Sequence, residues 1–256
     1  MPKPVRWDKL SVPVDAVDMA MALDWAEGAM RAGRRALVIT PNPEIVMAAW
    51  RNRQLATIID GSDLSLPDGI GLVWASRLLG GPLGVRVPGV EFIEGCLDLC
   101  AANAWAVFFL GGQPGVAAEA AERAVRRWPG LVVAGTHHGY FGREEEPGLL
   151  EAIRDAKPRF LAVGMGHPRQ ELWLAANLPQ LDGVLAIACG GSLDVLAGRV
   201  SRAPLFFRRT GLEWLYRVLS NPRARLGRVG TLMRFGLRVV GHRITGRPFP
   251  GAGNAG

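Results

Sequence analysis

Trp105-Ala-Val-Phe-Phe-Leu110, then Gly111-Gly-Gln-Pro-Gly115, then an Ala/Glu-rich stretch from Val116 to Trp128, read as an apolar run, a glycine-rich turn and a helix. The run is short, rich in β-branched and aromatic residues and bounded by turn residues, which is the pattern of a buried strand. The succession recurs along the chain. Arg35-Ala-Leu-Val-Ile-Thr40 leads into Pro41-Asn-Pro43 and a helix start. Leu131-Val-Val-Ala134 is a further strand. Arg159-Phe-Leu-Ala-Val163 runs into Gly164-Met-Gly166 and a helix through Glu171 and Trp173. Val184-Leu-Ala-Ile187 ends in Ala188-Cys-Gly190-Gly191. Strand, glycine-rich turn and helix in alternation predict an α/β protein, Rossmann-like, with a mostly parallel sheet and flanking helices.

From Gly211 the pattern turns to helix only. Leu212, Leu215, Tyr216 and Leu219 fall at helical spacing, and a second helix is predicted from about Arg223 to Ile244. We divide the chain accordingly into an α/β domain over residues 1–198 and a basic helical C-terminal appendage over 199–256, with loose ends at Met1–Pro4 and Pro248–Gly256. The appendage carries twelve Arg, no Lys and one acid, Glu213, a balance of +11. The rest of the chain balances to −4, and the two parts give the formal +7. A near-neutral body with an Arg-only end faces an anion: phosphate, phospholipid or nucleic acid. In the long helix, Arg228, Arg234 and Arg238 alternate with Leu226, Val229, Leu232, Met233, Leu237 and Val240. Such a helix either packs on the body with a solvated Arg face or lies on an anionic membrane surface, and the charge excess favours the membrane.

With 256 residues, 49% of them hydrophobic and 21% charged, the chain can bury a large core. The N-terminus reads as lacking a signal peptide, and no apolar run approaches the roughly 18 residues of a spanning helix. Cys96, Cys100 and Cys189 are odd in number and lack metal spacing, so they are expected to be reduced core residues of a cytosolic protein.

In a parallel α/β sheet the loops after the strand C-termini form the ligand crevice. Gly111 and Gly112, Gly164 and Gly166, and Gly190 and Gly191 all fall on such loops, where backbone N–H groups can approach an anion. Three of them in succession suggest a nucleotide or nucleotide-sugar site. The P-loop pattern is missing, as is a GxGxxG motif followed by an acid, which argues against an NAD enzyme. Thr40 and Asn42 end the first strand, Asp68 lies in Pro67-Asp-Gly69, and Arg86 in Val85-Arg-Val-Pro-Gly89. Gln170 and Glu171 follow Gly166-His-Pro-Arg169. Each has an ordinary reading as a turn, a surface charge or a helix cap. His137, His138 and His167 are weak candidates, with no carboxylate at ligand spacing in the sequence.

The combination is more specific. Thr40-Pro-Asn42, Pro67-Asp-Gly69, Arg86-x-x-Gly89, Phe109-Leu-Gly-Gly112, Gly139-Tyr-Phe141, Gly164-x-Gly-x-Pro-Arg-Gln-Glu171, Gly190-Gly-x-x-Asp194, Arg202-Ala-Pro204 and Gly211-Leu-Glu-Trp-Leu-Tyr-Arg217 occur in one order. Over about residues 12 to 228 the chain resembles the WecG/TagA/CpsF family of bacterial glycosyltransferases. The resemblance implies an inverting transfer of N-acetylmannosamine or a related hexose from a UDP-sugar. The acceptor would be a polyprenyl-diphosphate-linked sugar at the inner face of the cell membrane. It further implies metal-independent action, with no cofactor beyond the UDP-sugar co-substrate. It gives Asp68 the role of base, with Thr40 and Asn42 beside it. Arg86, Gln170 and Glu171 would contact substrate, the glycine loops would hold UDP, and Arg217, Arg223 and Arg225 would meet the diphosphate. Val87-Pro88 stands where many relatives carry a Thr. A UDP-glucose-type hexosyltransferase of exopolysaccharide synthesis is the alternative within enzymes. A nucleic-acid-binding protein using the Arg-rich tail is the alternative outside them, and it lacks a recognition motif. A homo-oligomer is left open.

Overall fold

The computed structural model describes residues 4–204, 206–207, 213–220 and 222–250, without the side chains of residues 217, 220, 222–226 and 228. A two-stranded hairpin, β1 (Arg6–Trp7) and β2 (Val14–Asp15), opens the chain. Six further strands form one sheet: β3 (Ala36–Ile39), β4 (Leu64–Ser65), β5 (Ala106–Gly111), β6 (Val132–His137), β7 (Phe160–Gly164) and β8 (Leu185–Ala188). They lie in the order β4-β3-β8-β7-β5-β6, and each neighbouring pair is parallel.

Along each central strand the side chains alternate between two cores, as the period of two requires. Leu37, Ile39, Phe108, Leu110, Leu161 and Val163 face one layer. It is built from α2 (Pro43–Ala49), α3 (Arg53–Asp60), α4 (Ile70–Leu78), α7 (Glu146–Ala156) and α8 (Arg169–Asn177). Val38, Val107, Phe109, Phe160, Leu185 and Ile187 face the other. There the helices are α1 (Met19–Arg31), α5 (Gly89–Asn103), α6 (Val116–Arg127) and the short α9 (Ser192–Leu196). Strands covered on both faces read as unbroken apolar runs, and this made the central four legible. The three cysteines are free and buried, and burial pushes the Cys100 thiol up to about 12.

Gly111 and Gly164 show why glycine closes these strands. Gly111 has φ +143, and a Cβ on it would overlap the Gly164 carbonyl. The Gly112 N–H donates to the Gly164 carbonyl at 2.9 Å. The first glycine loop is thereby bound to the end of β7.

The C-terminal stretch forms α10 (Glu213–Ser220) and α11 (Pro222–Thr245). The long helix lies against α2 and α4. Its buried contacts are Phe235 and Val239, two residues outside the apolar set expected from sequence. Trp50 at the end of α2 stacks on Phe235 at 6.0 Å and on Phe249 at 5.1 Å between ring centroids. Phe249 lies in the stretch expected to be loose, yet it is buried, because its ring completes this stack. Among the described residues, Arg199, Arg202 and Arg238 of the appendage are engaged by the body, Arg238 over the Trp50 ring at 5.9 Å. Arg199 pairs with Glu119 at 2.7 Å, and Arg202 pairs with Glu91 and Glu94 at 2.8 and 3.0 Å.

Candidate active site

The sheet order reverses at β3. The chain steps outward to β4, and the later strands add on the opposite side through β8. Ligands of open α/β sheets bind at such a switch point, beyond the strand C-termini. A cleft of about 730 Å³ opens there, within the range of small-molecule sites. Thr40, Asn42, Asp68, Arg86, Gln170, Gly166, Gly190 and Gly191 all line it, gathered from the ends of β3, β4, β7 and β8 and from the loop before α5.

The local geometry says what each can offer. The Thr40 hydroxyl donates to the Ala188 carbonyl at 3.1 Å, joining the tips of β3 and β8 and leaving the oxygen as an acceptor. Asn42 caps α2: its Oδ1 accepts from the N–H groups of Glu44 and Ile45 at 2.9 and 3.0 Å. Its amide nitrogen is then the atom left for a ligand. Asp68 is placed by its own N–H, which donates to the Pro41 and Leu66 carbonyls. Gly89 brings these elements together: a Cβ there would lie 3.1 Å from Thr40 Cγ2 and 3.6 Å from Asp68 Oδ2. A side chain at position 89 would press on the Thr40 methyl group beside the Asp68 carboxylate.

Gln170 is 2% exposed and bridges two layers. Its Oε1 accepts from the Gly190 N–H at 2.9 Å, and its Nε2 donates to Glu171 Oε1 at 2.8 Å. The Gly190 N–H, expected to face a phosphate, is thus already used. Glu171 stands one layer behind, fully buried and off the cleft wall, and among the described residues its Oε2 has no hydrogen-bond partner. Burial pushes its carboxyl above the ordinary range, against the Gln170 hydrogen bond. Arg86 meets Glu213 of α10 at 3.3 Å, the two side chains 17% and 12% exposed. The one acid of the appendage thereby fastens it to the cleft.

The model of the glycosyl transferase WecG/TagA/CpsF family matches residues 7–248. The chain belongs to that family. It is a glycosyltransferase with the Rossmann-like sheet expected from sequence. Among its relatives is the N-acetylglucosaminyldiphosphoundecaprenol N-acetyl-beta-D-mannosaminyltransferase of Bacillus spizizenii, 36% identical over 83% of this chain and 82% of the relative. A Staphylococcus aureus (strain MW2) protein of the same name is 37% identical over 79% of each chain.

Within this family member, three of the expected site glycines lie elsewhere. Gly111 and Gly112 are off the cleft wall, tied to Gly164 and Gly139, and Gly164 packs under the Gly190 carbonyl. Arg217, Arg223 and Arg225 lie outside the described residues as far as their side chains are concerned. The structure adds Glu44, Trp74, Cys189, Trp214 and residues 232, 233, 235 and 236 of α11 to the lining. Trp74 follows Ile70 by one helical turn, but Ile70-Gly-Leu-Val-Trp74 is apolar throughout, so no periodicity marked its outward face. Away from the cleft, His137, His138 and Glu145 come together with ligand-capable atoms within 4.8 Å of one another. That supplies the carboxylate not seen in the sequence, from the loop before α7. Among the described residues no helix is long and apolar enough to cross a membrane.

Proposed function

We propose that the protein transfers N-acetylmannosamine or a closely related hexose from a UDP-sugar to an N-acetylglucosaminyl-diphosphoundecaprenol-type acceptor, with inversion, at the cytoplasmic face of the membrane. The observation that carries the reading is the convergence of Thr40, Asn42, Asp68, Arg86 and Gln170 on one cleft in a chain of this family. The relatives' names supply the sugar and the acceptor class.

In this reading the acceptor hydroxyl attacks the anomeric carbon from the face opposite UDP. Asp68 takes the hydroxyl proton as the carbon–oxygen bond forms. The Asn42 amide and the Thr40 oxygen orient the reacting groups, one as donor and one as acceptor. The bond from the anomeric carbon to the UDP oxygen breaks, and its charge must be met by donors already in place. Arg86, Gly191 and Ser192 line the cleft, which supports giving them this role. Arg217, Arg223 and Arg225 belong to the same proposal on sequence grounds, since a guanidinium fork suits a diphosphate. The leaving group is stabilised without a metal. Glu213, one of the carboxylates lining the cleft, is paired with Arg86.

The test is incubation of the full chain with a panel of UDP-sugars and a polyprenyl-diphosphate-linked N-acetylglucosamine, following UDP release. UDP release with UDP-N-acetylmannosamine well above that with UDP-glucose supports the reading. The reverse order assigns the donor to the glucose class, and no release with any donor overturns the assignment.

A further inference from the structure

In its deep wall the cleft mixes the polar Thr40 and Gln170 with the apolar Ile45, Val90 and Phe235, all almost fully buried. Its outward members are large and apolar: Ile70, Trp74, Trp214 and Met233 are 38%, 43%, 39% and 62% exposed. Single exposed apolar side chains need no explanation, but four on the rim of one cavity do. A uracil or sugar face can stack on Trp74 or Trp214, but the aliphatic side chains of Ile70 and Met233 suit hydrocarbon. The same surface continues outward. Met233, Leu237, Val240 and Ile244 recur at spacings of four, three and four, so they form one stripe along α11. Leu237 and Ile244 are 69% and 77% exposed. The stripe begins in the cleft and runs roughly 16 Å along the helix axis. It is separate from the face that packs on α2 and α4 through Phe235 and Val239.

We propose that this rim and stripe hold the first isoprene units of the acceptor's polyprenyl chain, with Trp74 and Met233 as the contacts nearest the diphosphate. The proposal rests on the acceptor reading above. A diphosphate reaching Asp68 and Arg86 draws its attached hydrocarbon out of the bilayer, and uncovered hydrocarbon in water opposes that movement. Covering one branched five-carbon unit, about the size of a leucine side chain, corresponds to roughly a ten- to hundredfold gain in affinity. Arg234 and Arg238 are exposed on the same helix, where cationic heads can face the polar boundary that the chain must cross.

The experiment compares two soluble acceptors with the same N-acetylglucosaminyl-diphosphate head, one bearing a methyl group and one a farnesyl chain, without vesicles or detergent. UDP release is followed with the donor identified above. The full chain is expected to favour the farnesyl acceptor by roughly a hundredfold in kcat/KM, mainly through KM. In Trp74→Ser combined with Met233→Ser the ratio is expected to fall below about ten. The ratio is independent of the folded fraction, so partial unfolding of the variant does not imitate the effect. Equal use of both acceptors by the full chain, or an unchanged ratio in the variant, overturns the proposal. A preference that appears only when vesicles are added assigns the stripe to the bilayer, and one that appears only as enzyme concentration rises assigns it to a second copy. Either result also overturns it. No UDP release with either acceptor removes the transferase reading beneath the proposal, a result distinct from equal release.

Discussion

Asp68 leaves β4 with its backbone N–H held by two carbonyls, so its carboxylate enters the cleft from a fixed point. Removing only its basicity isolates its chemistry. Asp68→Asn is expected to keep the wild-type melting temperature within a few degrees and to lower turnover by roughly 10²–10⁴-fold, the range for loss of a general base. Near-normal turnover by UDP release would remove Asp68 from that role. Glu171 makes a second, opposite case, a carboxyl stabilised as the acid. Its folded pKa is raised above the ordinary value near 4.5, so between the two values the native state binds more protons than the unfolded state. Stability contributed by this group is full below the ordinary value and is lost as pH rises through the folded value. Glu171→Gln keeps an oxygen for Gln170 and removes the titration. Its melting temperature, scanned from pH 4 to 8, should lose this component of the decline. A variant whose profile stays parallel to wild type throughout would show that Glu171 does not carry it. Residues such as Thr40, Asn42, Asp68 and Gln170 were legible because strand-end loops converge by rule in this architecture. The layering of Glu171 behind Gln170 was not, since two adjacent helical residues differ only in the faces that the packing gives them.

At the scale of elements, the central strands were readable because burial on both faces leaves no polar interruption. The two-residue β4 carries no period at all, and only its pairing with β3 reveals it. Helix α11 was placed within a residue or two, yet its faces were misjudged. Gly227, Gly230 and Gly236 blur its pattern, and apolar residues sit on opposite sides of it. Phe235 is the residue that fixes which side turns inward. It is 2% exposed and stacked on Trp50. Phe235→Ala is expected to cost about 3–5 kcal/mol, the usual range for a buried Phe, measured by urea unfolding. A loss below about 1 kcal/mol would mean that α11 is held elsewhere. Ending the chain near Gly198 would bare Trp50 and the surfaces of α2 and α4, so a truncated chain loses packing together with charge.

Across the whole molecule, the positive excess belongs to one end and part of it is turned inward, onto Glu91, Glu94 and Glu119. Arg234, Arg238 and Arg243 are exposed on α11, with the Arg238 guanidinium also over the Trp50 ring. If these three approach an anionic surface, each contributes about 1 kcal/mol. The Arg234→Gln, Arg238→Gln, Arg243→Gln variant is then expected to bind phosphatidylserine-containing vesicles about a hundredfold more weakly at low salt, by co-sedimentation. Wild type should also detach near 1 M salt, where the Debye length falls to about 3 Å. Equal co-sedimentation of variant and wild type would place the contact elsewhere. Activity is further expected to survive EDTA, with UDP release unchanged to within about twofold. Loss on chelation that magnesium or manganese restores would overturn metal-independent transfer.

The fastening of Arg86 to Glu213 joins residues 127 positions apart in sequence. The cleft wall supplied by residues 232–236 comes later still. During translation at roughly 5–20 residues per second, Asp68 is made on the order of ten seconds before this wall. A ribosome that stalls or releases early therefore yields a chain with Asp68 and no finished cavity. On the proposed reading, competence to transfer sugar begins only once synthesis has passed residue 236, and a product that ends earlier holds Asp68 without a site to serve.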